Sequence, residues 1–193
     1  MRKNILPALR LTIFCMLFFS GFYTLIVLGI AQFTGNIGKG DIIIHNEKKY
    51  YTIIGQKFSE DKYFYSRPSA VDYNAAGAGG SNKGPTNSEY LKIVKNRIDT
   101  FKVHNPSISA SEIPSDLVTA SGSGIDPHIS VQSANIQAKR IAKIRGLEES
   151  KIKEIINSNI EKPLLGMFGP YKLNVLKLNI ALDKLQSQII ENT

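Results

Sequence analysis

The sequence has little of the residue types from which disulfides and most metal sites are built. Its 193 residues include one cysteine, three histidines and no tryptophan. A single cysteine excludes an internal disulfide and any Cys-rich zinc site. His45, His104 and His128 are far apart in the sequence. We therefore expect no metal site and no cofactor of the chain's own.

Charge is absent from one long stretch near the N-terminus, between Leu11 and Ala31. As a helix this stretch is roughly 31 Å long, which matches a hydrocarbon core of about 30 Å. We predict a transmembrane helix over residues 11–33. The alternative is a cleavable signal peptide ending near Gly29-Ile30-Ala31, although the apolar region of a signal peptide is usually only about 7–15 residues long.

Flanking charge predicts the orientation of this helix. Arg2, Lys3 and Arg10 precede it, and the first charged residue after it is Lys39. Because positive residues favour the cytoplasmic side, we expect a cytoplasmic N-terminus over residues 1–10.

The remaining residues, 34–193, would then form an extracytoplasmic domain. Inside the helix, Ser20, Gly21 and Thr24 form a small-residue surface that a partner helix could approach closely. Small residues also occur in spans by chance, so this contact stays open. Cys15 is expected to be a small apolar residue rather than a lipidation site.

The first half of the domain predicts a hairpin, an irregular loop and a helix. Ile42–Ile44 and Tyr50–Ile54 are typical of paired strands, and residues 66–87 are rich in glycine and alanine. Thr86-Asn87-Ser88-Glu89 has the pattern of a capping box. The apolar residues that the helical period places on the buried face are Tyr90, Leu91, Val94, Ile98 and Phe101.

The second half predicts three helices and one strand. One helix is capped by Ser130 and ends at Gly146. A second ends at Pro163, a strand covers Lys172–Asn179, and a tail helix covers 180–190. The residues expected to face inward are Ala134, Ala138, Ile141 and Ile144, then Ile152, Ile155, Ile156 and Ile160, and finally Leu182, Leu185 and Ile189. The fold class is α+β, with a single N-terminal transmembrane helix followed by one mixed α/β domain.

Ser121, Ser123, Asp126 and His128 are the residue types of a serine hydrolase. Known triads assemble from distant chain positions, and the stiff Asp-Pro-His backbone makes a linear Ser–His–Asp arrangement difficult. No Gly-x-Ser-x-Gly elbow is present. We therefore expect no catalytic residue, and a loop whose Ser and Asp side chains bond to backbone donors. A membrane-anchored extracytoplasmic hydrolase remains an alternative.

Two further segments suggest binding. The glycine-rich stretch Gly77–Gly84 lacks the spacing of a phosphate-binding loop, so we interpret it as a turn that permits close backbone approach. Arg67 could clamp a carboxylate or be exposed. The basic run Lys139–Arg145 has no interleaved aromatic residue for base stacking, and we predict a solvated helix face and no nucleic-acid partner.

Several motifs together resemble one known family. They are Ile54-Gly55-Gln56-Lys57-Phe58, Tyr63-Phe64-Tyr65-Ser66-Arg67-Pro68-Ser69-Ala70, Tyr73-Asn74-Ala75-Ala76, Gly80–Asn87, Val118–Ser130 with Ala134, Gln137, Arg140, Ala142, Arg145 and Gly146, and Asn174–Asn179. On these residues the chain resembles KdpC, the C subunit of the bacterial Kdp high-affinity potassium-transporting ATPase. Lys83 and Val131 stand where the family pattern has an apolar residue and a proline.

The resemblance implies an accessory subunit without catalytic activity. Its partners would be a channel-like potassium-selecting subunit, a P-type ATPase subunit and the lipid of a bacterial inner membrane. The family is described as a catalytic chaperone that raises the ATP affinity of the ATPase subunit, so ATP is implied through that subunit. Because ATP is cytoplasmic and the predicted domain is not, we expect an indirect influence. A small-ligand binding protein with residues 66–87 as a lid is a further alternative.

Overall fold

The structure, a computed structural model, describes residues 2–191 and divides into two compact units between Ile42 and Ile43. The first unit is helical from Arg2 to Ala31. It comprises α1 (Arg2–Met16), a π-helical segment (Leu17–Tyr23) and α2 (Thr24–Ala31). The helix therefore begins well before Leu11, and over Lys3–Ala31 it is long and apolar enough to cross a membrane.

The second unit opens with the predicted hairpin, formed by β1 (Ile42–His45) and β2 (Lys48–Tyr51). Asn46 and Glu47 connect the strands with φ angles of 47° and 63°. Two consecutive left-handed residues are typical of a tight type I′ turn. Because the turn is this short, β2 begins at Lys48 and not at the predicted Tyr50.

Residues 66–87 form the expected irregular segment, and it leads into α3 (Ser88–His104). The predicted capping box is wrong by one residue, because the Asn87 side chain, not Thr86, accepts a hydrogen bond from the Tyr90 backbone N–H. Leu91 is half exposed and does not face the core as predicted. A short 3-10 turn lies before α3 at Ala75–Gly77. Two more lie after it, at Ala110–Glu112 and Ser115–Leu117.

A three-stranded antiparallel sheet lies in the second half of this unit. Its strands are β3 (His128–Ser130), β4 (Ile160–Glu161) and β5 (Lys172–Asn174), in the order β3-β5-β4. Leu173 on the central strand is paired with Ile129 on one side and Ile160 on the other. This register directs three apolar side chains toward the helices that cover the sheet.

Those helices are α4 (Val131–Arg145), α5 (Glu149–Ser158) and α6 (Val175–Glu191). Ser130 caps α4 by accepting a hydrogen bond from the Ser133 backbone at 3.1 Å, and Gly146 ends it with φ 66°. The predicted cap at Ser130 and the predicted helix end at Gly146 are both confirmed. Ile144 is half exposed, so its inward prediction is wrong.

Two predicted boundaries in the C-terminal part are also wrong. Helix α5 ends at Ser158 instead of Pro163, because Ile160 is drawn into β4 by pairing with Leu173. The predicted strand over Lys172–Asn179 stops at Asn174, whose side-chain oxygen accepts from the Lys177 N–H and starts α6.

The core of this unit is formed by apolar residues from the sheet, from α4 to α6 and from the segment before residue 66. The fully buried members include Phe64, Ala134, Ala138, Ile141, Ile152, Ile156, Leu173, Leu178 and Leu182. Helix and sheet contributions to one core confirm the α+β fold class.

Candidate functional site

The structure brings together the two loop segments that carry the most specific motifs. We call residues 66–81 and 121–128 the paired loops. The Ser121 N–H donates to the Pro68 carbonyl at 3.0 Å, and the Gly79 N–H donates to the Ser123 carbonyl at 2.8 Å. The motifs therefore form one surface although about fifty positions separate them along the chain.

Glycine is needed where the paired loops touch. A Cβ atom on Gly80 would lie 2.9 Å from the Gly122 carbonyl oxygen. Gly124 has φ +71°, and a Cβ there would lie 2.5 Å from Val71 Cγ2 and 2.6 Å from the Gly79 carbonyl oxygen. All three distances are shorter than real Cβ contacts, and the one at Gly80 confirms that the stretch Gly77–Gly84 permits close backbone approach.

An ion pair between Arg67 and Asp126 connects the paired loops. The Arg67 guanidinium lies 3.0 Å from an Asp126 carboxylate oxygen, and both side chains are largely buried. Of the two possibilities open for Arg67, the structure shows the carboxylate clamp. Among residues 2–191, the buried Arg67 Nε atom has no hydrogen-bond partner.

Asp126 also accepts hydrogen bonds from His128. The His128 backbone N–H donates to Asp126 Oδ1 at 3.0 Å, and the ring Nδ1 lies 3.4 Å from the same oxygen. Burial raises the pKa of Asp126, but the His128 hydrogen bonds and the Arg67 charge together outweigh burial and lower that pKa to about 2. Asp126 and His128 are therefore in contact across Pro127.

The other ring nitrogen of His128, Nε2, lies 3.3 Å from a Glu161 carboxylate oxygen on β4. Both ring nitrogens thus lie near carboxylate oxygens. Ser121 is buried, and the Ser123 hydroxyl accepts from the Ile125 N–H. In the described part of the chain, neither serine has a hydrogen bond to His128, so the three residue types are not brought into a line.

Tyr73 holds the Arg67 backbone in place. Its hydroxyl donates to the Arg67 carbonyl at 2.7 Å, and its own N–H donates to the Ser69 hydroxyl at 2.9 Å. Burial raises the pKa of Tyr73 to about 12, so the hydroxyl keeps its proton and its donor role at neutral pH. Tyr73, which lies within the segment that the small-ligand alternative treats as a lid, thus binds the backbone next to the ion pair.

The structure brings a second cluster together that the sequence predictions missed. Arg140 on α4 is buried and donates to Asn105 Oδ1 at 3.0 Å, to Gln137 Oε1 at 2.8 Å and to the Tyr63 carbonyl at 3.1 Å. Its guanidinium carbon lies 4.0 Å from the centre of the Tyr65 ring.

Arg145, one turn further along α4, pairs with Asp183 at 2.8 Å, and its side chain is only 6% exposed. The predicted solvated helix face is therefore wrong for Arg140 and Arg145, which bind polar groups inside the domain. Lys139 and Lys143 are exposed as predicted. The family motif was the signal that separated the two arginines from the lysines.

The groups of the glycine-rich stretch that resemble a phosphate-binding loop are bonded to other groups of this chain. The Lys83 ammonium pairs with Glu89 at 3.0 Å, while the Gly79 N–H is already bonded to Ser123. Within residues 2–191, no group of three or more His, Cys, Asp or Glu side chains is arranged to hold a metal ion.

In the helical unit, the predicted small-residue surface has its polar groups bonded internally. The Ser20 hydroxyl donates to the Met16 carbonyl, and the Thr24 hydroxyl donates to the Phe19 carbonyl at 3.1 Å. A Cβ on Gly21 would meet no atom within 4 Å. This face of the helix is therefore open within its unit, as a helix contact requires.

Comparison with known proteins agrees with the motifs that meet in the paired loops. The family KdpC, described as K+-transporting ATPase, c chain, matches residues 5–184. Three similar proteins are each named Potassium-transporting ATPase KdpC subunit. The one from Flavobacterium psychrophilum is 52% identical over 95% of this chain and 100% of its own length.

A relative from Bacteroides fragilis is 45% identical over 96% of this chain and 100% of its own. One from Caldanaerobacter subterraneus is 41% identical over 94% of this chain and 95% of its own. Similarity at this level extends through the helical unit, the paired loops and the C-terminal helix. The chain belongs to the KdpC family, the c chain of K+-transporting ATPases.

Proposed function

We propose that this chain is a non-catalytic, single-pass accessory subunit of an ATP-driven high-affinity potassium uptake complex. The observation that carries this proposal is family membership over residues 5–184, which includes both the apolar helix and the folded domain. The two carboxylates that face His128 support a structural rather than a catalytic role for the paired loops.

The partners in this proposal are the channel-like potassium-selecting subunit and the P-type ATPase subunit. The apolar helix packs against partner helices through the face that contains Gly21, and the domain lies outside the cytoplasm. Support for this orientation comes from Arg2, Lys3 and Arg10, which directly precede the apolar stretch, whereas the first charged residue after it is Lys39.

The chain assists assembly of the complex and raises the ATP affinity of the ATPase subunit indirectly. An indirect route follows from the proposed orientation, since ATP and the domain are on opposite sides of the membrane. It is also supported by the glycine-rich stretch, whose Gly79 N–H and Lys83 ammonium bind groups of this same chain. Any change in ATP affinity must then pass through membrane helices or through the stability of the complex.

The test is potassium-stimulated ATP hydrolysis by the purified complex with and without this chain. We expect loss of the potassium-stimulated activity, or a complex that dissociates on size-exclusion chromatography. A complex that stays assembled but shows a raised KM for ATP would support the chaperone role in particular. Normal activity and normal KM without the chain would refute the proposal.

Orientation has a separate test in protease digestion of sealed, right-side-out cells. We expect the domain to be cleaved without lysis. Protection in sealed cells, with digestion only after lysis, would refute the extracytoplasmic location while leaving the accessory role intact.

A further inference from the structure

One short segment of the domain exposes an unusual density of large apolar side chains. We call residues 163–171, between β4 and β5, the apolar tip. Its five large apolar residues are between 59% and 78% exposed: Leu164, Leu165, Met167, Phe168 and Tyr171. Single exposed apolar residues are ordinary, but a contiguous group of this size marks an interaction surface.

The apolar tip has a defined backbone and is not an unstructured connection. Leu164 and Phe168 form a two-way bridge, with N–H to carbonyl distances of 3.0 Å and 2.9 Å. The Gly166 N–H donates to the Pro163 carbonyl, and the Met167 N–H donates to the Leu164 carbonyl. Four backbone donors are thus bonded within the tip, which lowers the cost of moving it out of water.

The charge around the tip is net positive. Lys162 precedes the tip, and Lys172 and Lys177 follow it. Glu161, next to Lys162, lies 3.8 Å from the Lys172 ammonium and 3.2 Å from the Lys177 ammonium, and the sequence has no further carboxylate before Asp183. Basic residues beside an apolar and aromatic surface are the arrangement that binds the headgroup region of an anionic bilayer. A protein surface would not require this combination.

The chain also keeps the domain close to lipid. Residues 32–41 separate α2 from β1, and a segment of this length spans at most about 35 Å when fully extended. Because this tether is short, the domain stays close to the bilayer surface. Even a weak contact with lipid is then favoured.

We propose that the apolar tip is a second membrane contact of this chain, seated at the headgroup boundary of the bilayer. Leu165, Met167 and Phe168 reach the upper acyl region, and Lys162 and Lys172 lie near lipid phosphates. The contact needs the apolar helix to be embedded in lipid, but it does not depend on the role in potassium transport.

The test uses the full chain in nanodiscs that contain phosphatidylglycerol, at one copy per disc so that self-association is excluded. Cys15→Ser leaves one labelling site, Leu165→Cys, for an environment-sensitive fluorophore. We expect blue-shifted emission that is quenched by lipids with a spin label near the headgroup and weakly quenched by iodide. Val103→Cys is the matched control, because Val103 is 77% exposed on α3 and its label should show the opposite pattern.

A second variant tests the charge. Lys162→Glu in the Leu165→Cys chain should reduce lipid quenching toward the level of the Val103 label, because the reversed charge is repelled by phosphatidylglycerol. A Leu165 label as accessible to iodide as the Val103 label would overturn the proposal. Protection that arises only when the other pump subunits are added, without lipid quenching, would assign the tip to a protein partner and would also overturn it.

Discussion

Asp126→Asn isolates the electrostatic contribution of the paired loops. Asparagine keeps the shape of the side chain and can still accept the hydrogen bond that the His128 N–H donates at 3.0 Å. It removes the charge that pairs with Arg67 at 3.0 Å. The substitution should therefore lower the stability of the domain without changing its backbone, and the loss should depend on pH.

The structure sets the size and sign of this effect. The folded-state pKa of Asp126 is about 2, against an ordinary value of 3.8. A depressed pKa stabilises the folded state above the ordinary pKa, and the stabilisation is lost as pH falls through the folded value. The difference corresponds to roughly 2 kcal/mol at pH 7, and about half of it should remain at pH 3.

The assay is urea unfolding of the full chain in a non-ionic detergent, followed by the near-ultraviolet circular dichroism of its eight tyrosines. The wild type and Asp126→Asn are compared at neutral pH and at successively lower pH. Asp72→Asn is the control, because Asp72 pairs with Lys57 at a position where both side chains are mostly exposed, and such pairs contribute about 0–1 kcal/mol. Equal stability of the wild type and Asp126→Asn at pH 7, or a gap that does not narrow on acidification, would refute the electrostatic account.

Sequence patterns predicted those elements whose signals are local. The Ser130 cap, the Gly146 terminator and the uncharged helix all depend on residues within one or two turns of each other. The C-terminal strand failed because Leu173 belongs to a sheet while Val175 and the residues after it belong to a helix. Apolar residues are frequent through both parts, so periodicity alone could not find the boundary that Asn174 sets with its hydrogen bond to Lys177.

The candidate site was predictable as a set of motifs but not as a geometry. Arg67 and Asp126 are far apart along the chain and meet only after it folds. A sequence pattern does not show which distant residues come into contact. Arg140 was missed for a related reason. A basic residue on a helix is usually solvated, and its buried acceptors on Asn105 and Gln137 come together only in the folded domain.

Two further substitutions test the packing that holds the site, each against a neighbouring control and with the same unfolding assay. Arg140→Leu should destabilise the domain by about 3 kcal/mol or more, because the buried oxygens that it binds lose their donor. Lys139→Leu, at the adjacent exposed position, should stay within about 0.5 kcal/mol. Gly124→Ala should cost at least about 2 kcal/mol, because its φ of +71° is unfavourable and its Cβ would lie 2.6 Å from the Gly79 carbonyl oxygen. Gly122→Ala is the control, since no atom lies within 4 Å of its Cβ position. If alanine is tolerated equally at both glycines, the close approach of the paired loops is not a requirement of this fold. The contact between Arg67 and Asp126 would then not depend on that approach.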